Sequence, residues 1–69
     1  MTEQEFMEID FWANMVDVRG TSDEKLREKF EGFTLSQNKM LLKMFSEAKD
    51  DRMKEVVEIL RQVISKKDK

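Results

Sequence analysis

An all-α architecture, a small bundle of three to four short helices, is indicated by three observations. Apolar residues recur at steps of three and four, no stretch alternates in the manner of a strand, and capping residues stand at intervals along a chain that contains no proline. The helices are expected over about 3–18, 23–31, 35–49 and 52–65.

The first helix opens at Thr2-Glu3-Gln4-Glu5, a capping box in which the Thr hydroxyl meets a free amide and Glu5 reaches back. It is expected to run to Val18 and to stop at Gly20. Its apolar set is unusually wide. Met7, Phe11, Met15 and Val18 form one stripe, and Ile9, Trp12 and Val16 form another beside it. Together they cover roughly 200° of the helical wheel, whereas a helix lying on a core needs little more than about 100°. Either this helix is central and touched by its own chain on two sides, or one stripe is a surface for a partner.

A glycine cap at Gly20 and a second capping signature, Thr21 with Glu24 or Ser22 alone, lead into a short helix marked by Leu26 and Phe30. Gly32 is expected to end it, with Phe33 folding back on the last turn as in a Schellman motif. Thr34-Leu35-Ser36-Gln37 is a further capping box. Behind it Met40, Leu41, Met44, Phe45 and Ala48 form a broad stripe.

Between Ala48 and Met53 the apolar rhythm jumps by five positions. A straight helix through this point would turn its two stripes about 130° apart, so a break with Asp50 or Asp51 as N-cap is expected. The last helix carries the clearest pattern in the chain. Met53, Val56, Val57, Leu60, Val63 and Ile64 fall within roughly 120° of one another, opposite Lys54, Glu55, Glu58, Arg61 and Gln62. Residues from about 66 onward are expected to fray.

Sixty-nine residues without cysteine make one expected domain, 1–69, with no disulfide or zinc thiolate to hold it. The remaining stabilising routes are helix packing and oligomerisation. The charge is unevenly laid out: residues 1–33 carry four basic and nine acidic groups, and residues 34–69 nine basic and six acidic. The two halves attract, which suits helices packed within one chain or between two. No apolar run reaches the length of a bilayer span, and the acidic start argues against a membrane surface, so a soluble cytoplasmic protein is expected.

Histidine, cysteine and tyrosine are absent, which removes the usual general base near neutral pH, the usual transition-metal ligands and two common nucleophiles. Ser46 beside Lys43 or Lys49 is an ordinary surface pairing, and the isolated Gly20 and Gly32 form no phosphate-cradling loop. No catalytic residue, cofactor site, metal site or small-molecule substrate is expected.

The leading functional expectation is therefore a small non-enzymatic regulator or adaptor that binds a protein partner through the apolar and aromatic surface of the first helix, with a homodimer as its expected form. Phe6, Ile9, Trp12 and Val16 are the candidate contact residues, with Asp10 and Asp17 at the rim. The alternative is nucleic-acid binding through a helix-turn-helix-like pair formed by the second and third helices. Ser36, Gln37, Asn38 and Lys39 would then meet base edges. It is disfavoured, because the second helix is acidic (Asp23, Glu24, Glu28, Glu31) and no basic stripe is present. A structural subunit of an assembly is the third expectation.

Overall fold

Four N-caps set where the helices begin. In the computed structural model, which describes residues 1–68, they are Thr2, Ser22, Thr34 and Asp50. Each has extended backbone and a side-chain oxygen that accepts an amide three residues on. Thr2 with Glu5 and Thr34 with Gln37 close full capping boxes. The resulting helices are α1 (Glu3–Met15), α2 (Asp23–Gly32), α3 (Leu35–Phe45) and α4 (Asp51–Lys67). Among the described residues they are the only regular elements, an all-α bundle.

The helix ends depart from expectation more than the starts. α1 stops at Met15, three residues short of Val18, because Val16 turns to φ −99°, ψ 136° and Asp17 organises a separate turn. The Gly20 amide donates to the Asp17 carbonyl and carboxylate, both at 3.2 Å, and the Thr21 hydroxyl donates to the Asp17 carbonyl at 2.7 Å. An aspartate that can hydrogen-bond the backbone ahead of it competes with helix continuation, and the flanking β-branched valines offer little resistance.

Neither glycine acts as a left-handed cap, since no glycine among the described residues has positive φ. Gly20 instead lies close under Asp17, where an added Cβ would come within 2.5 Å of the carboxylate Oδ2. Gly32 is the last residue of α2, and the expected Schellman motif gives way to an extended Phe33 whose amide donates to the Phe30 carbonyl.

α3 ends at Phe45, four residues before the expected Lys49. The Ser46 hydroxyl donates to the Lys43 carbonyl at 3.0 Å and the Ala48 amide to the Phe45 carbonyl at 3.1 Å. The chain then breaks and restarts at Asp50, as the shifted apolar rhythm requires. α4 continues past the expected end to Lys67, whose ammonium donates to the Glu31 carbonyl at 2.9 Å. Of the tail expected to fray, only Lys69 lies outside the described residues.

α4 is the centre of the bundle, packed by α2 on one side and α3 on the other, while α1 packs chiefly on α3. The expectation of a central first helix is thereby corrected. Two neighbours also widen the buried face of α4: Ile59 joins Met53, Val56, Leu60 and Val63 inside, while Val57 and Ile64 are half-buried. Around them Ile9, Val18, Leu26, Phe30, Phe33, Leu41 and Phe45 complete the core. At about 25 cal/mol per Å² of apolar surface removed from water, this shared core is what holds helices too short to persist alone.

Arg52, at the start of α4, ties the 16–22 connection down. Its guanidinium donates to the carbonyls of Arg19 (3.1 Å) and Thr21 (2.6 Å) and to the carboxylates of Asp23 (2.6 Å) and Glu55 (3.0 Å). Beside it Arg19 forms a two-pronged pair with Asp50, at 3.1 and 2.8 Å.

Candidate functional site

α1 is fixed in rotation about its own axis by one apolar and one polar set of contacts. Ile9 is fully enclosed, and the Trp12 ring meets Phe30 and Phe33 edge-on at centroid distances of 5.8 and 5.6 Å. The polar set runs to the start of α3. The Thr34 hydroxyl donates to the Glu5 carboxylate at 3.0 Å. Gln37 Nε2 donates to the Glu5 carbonyl at 3.0 Å and to Glu8 Oε1 at 3.3 Å. The Thr2 amide, together with the Thr34 and Thr2 hydroxyls, holds the Glu5 carboxyl below its ordinary pKa, so it stays ionised as an acceptor.

With Ile9 pointing inward, the opposite side of the helix carries Met7, Phe11 and Met15, one turn apart. They are 61%, 68% and 70% exposed. Phe6 (40%) and Met1 (51%) are exposed as well, Phe6 on the far side of Glu3 and Asp10. Isolated surface hydrophobes are ordinary, but three large ones aligned on the outermost face of a helix form a contiguous patch. Exposed acids border it: Glu3 and Asp10 along one edge and Glu8 along the other. α1 contains no lysine or arginine.

The six residues expected at an interface are thus divided. Ile9 belongs to the core, Trp12 is half-buried against it and Val16 is half-buried, so this stripe is the inward one in the isolated chain. Phe6 keeps part of its ring exposed. Asp10 is exposed, with Asn14 Nδ2 bonded to its carbonyl at 2.8 Å, and Asp17 is exposed but engaged in the turn to Gly20. The apolar surplus of the first helix falls on the neighbouring stripe. The missed signal is Ala13, which lies with Ile9 and Val16 on an arc free of charge; Met7 lies among Glu3, Asp10 and Asn14.

The four candidate nucleic-acid contacts are divided as well. Ser36 and Lys39 are exposed, but Gln37 and Asn38 are buried. Gln37 is occupied by α1, and Asn38 Nδ2 donates to the Phe30 carbonyl at 2.9 Å, a second donor beside the Phe33 amide near the end of α2. Two of the side chains that would have met base edges are therefore structural.

Among the described residues, no group of three or more carboxylates is placed to hold a metal ion, and no helix is long and apolar enough to cross a membrane. A shallow open depression beside α1 is lined by Glu8, Lys25, Glu28, Lys29, Gly32 and Phe33, with the Lys29 ammonium 5.2 Å from the centre of the Phe33 ring. Compared with protein families, characterised proteins and solved structures, the chain matches none.

Proposed function

We propose that this chain is a small protein-binding module, a regulator or adaptor in kind, that engages its partner through the outer face of α1. The observation behind the reading is the alignment of Met7, Phe11 and Met15 on the side of α1 opposite the enclosed Ile9. Leaving apolar side chains of this size in water forgoes stabilisation that burial would bring, roughly 1.5–3 kcal/mol for each. A patch of this kind, rimmed by polar residues, is a recurrent mark of a recognition surface. Methionine suits the role, because its unbranched thioether adapts to irregular partner surfaces.

The test is Phe11→Glu in affinity capture from the native cell. Because Phe11 is solvent-facing, the variant is expected to fold with an unfolding midpoint close to that of the unaltered chain. It should lose the proteins that the unaltered chain retains. Retention of the same proteins by both chains would refute the assignment of this face.

A further inference from the structure

Resting on the reading of α1 as a docking face, we infer that its occupant is a cationic amphipathic helix. The charge around the stripe selects it. α1 holds four carboxylates and no base, and among the described residues neither Glu3 nor Asp10 takes part in an ion pair. On the Glu8 edge Lys25 and Lys29 of α2 line the adjoining depression and offset the negative charge. The Glu3 and Asp10 edge has no such compensation, so the partner places its lysines or arginines there and its apolar residues over Phe11.

A second copy of this face fits poorly. Two copies of this face would bring Glu3, Glu8 and Asp10 from each, six carboxylates, to one seam with lysines beside Glu8 alone, and like charges across a helix contact are destabilising. The three side chains offer roughly 400 Å² of exposed surface, at about 200 Å² for each fully exposed one. A stable interface buries about 800 Å² per partner. An anionic lipid surface is repelled by the same carboxylates. A short basic helix avoids the charge clash and needs only a small, weak interface: Met7 to Met15 spans about 12 Å, two turns, which a partner helix covers with anchors at the same spacing.

The probe is a synthetic helical peptide of about 14 residues, leucine on one face and lysine on the other, titrated into the full chain with isotope-labelled methionine methyl groups. The signals of Met7 and Met15 should move and that of the buried Met53 should not, with a dissociation constant on the order of 10 µM. Phe11→Ser, and separately Glu3→Gln with Asp10→Asn, should each weaken binding about tenfold. A peptide with glutamate in place of lysine should bind about tenfold more weakly than the lysine peptide.

Equal movement with the glutamate peptide would overturn the cationic partner while leaving α1 a docking face. Equal movement with a scrambled lysine-leucine peptide would overturn the amphipathic helix. Movement on concentrating the chain alone would name a second copy, and movement with neutral phosphatidylcholine vesicles a membrane, either of which overturns the inference. If Met7 and Met15 stay still with both peptides, the inference falls; if Phe11→Glu also leaves partner capture intact, the proposed function falls with it.

Discussion

Asn38 shows how one polar side chain can decide a local arrangement. It is fully enclosed on α3, and its amide nitrogen satisfies the Phe30 carbonyl at the end of α2 while its Oδ1 has no protein partner. The Phe33 amide also donates to that carbonyl, so Asn38→Ala removes one of two hydrogen bonds and should cost about 1 kcal/mol in chemical denaturation. Asn38→Asp should cost more, since a carboxylate there would face the carbonyl it replaced a donor for. If Asn38→Ala is neutral, the Phe33 amide alone satisfies the Phe30 carbonyl. Asp50 supplies a pH-dependent counterpart. Arg19 beside it lowers its pKa from the ordinary 3.8 to about 2. A carboxyl depressed by folding stabilises fully above its unfolded pKa, and that contribution is lost as pH falls from about 4 towards 2. Asp50→Asn keeps a competent N-cap but removes the titrating charge. The fall in stability across that window should be shallower in the variant, as followed by circular dichroism against pH. Equal slopes would mean that the Arg19 pair contributes nothing to the acid response.

The helix starts were legible because capping boxes are local: Thr2 with Glu5 and Thr34 with Gln37 need no tertiary information. The helix ends were not. Val16 and Ser46 are compatible with either helix or turn, and what stops the helices is a competing turn at Asp17 and a change of core face after Phe45. The candidate surface was half legible for a related reason. The excess of apolar residues on the first helix can be read from spacing alone, but which of two adjacent stripes faces the core depends on Phe30, Phe33 and Gln37 from elsewhere in the chain. Paired substitutions test the assignment directly. Ile9→Ala should lose about 3 kcal/mol, within the range for large-to-small core changes. Phe11→Ala should change stability by no more than about 0.5 kcal/mol, as is usual for surface sites. The reverse order in thermal or denaturant unfolding would mean that α1 is rotated from the position described.

A chain of 69 residues has little stability to lose: at 0.05–0.15 kcal/mol per residue, its total is on the order of 3–10 kcal/mol. That makes the middle of α4 its most sensitive point. Leu60 is fully enclosed on the helix that α2 and α3 share, and Leu60→Ala should remove about 3–4 kcal/mol. The variant is expected to be substantially unfolded at 37 °C by circular dichroism; a fold as resistant as the original would show that α4 is not the shared support. α1 stands differently, because it packs chiefly on one neighbour and its connection is secured by Arg52 and Asp17 rather than by a second helix. Segments with fewer partners open at lower free energy than the whole, so amides of α1 should exchange with solvent deuterium ahead of those in α4.

Trp12, the chain's one indole, is wedged edge-on against Phe30 and Phe33 at the seam between α1 and the other helices. It therefore works as a built-in gauge of whether that seam is closed. On mild heating its emission should shift to longer wavelength before the far-ultraviolet signal of the remaining helices declines, so one label-free optical channel separates undocking of α1 from collapse of the bundle. Coincident transitions would mean that all four helices melt as a unit.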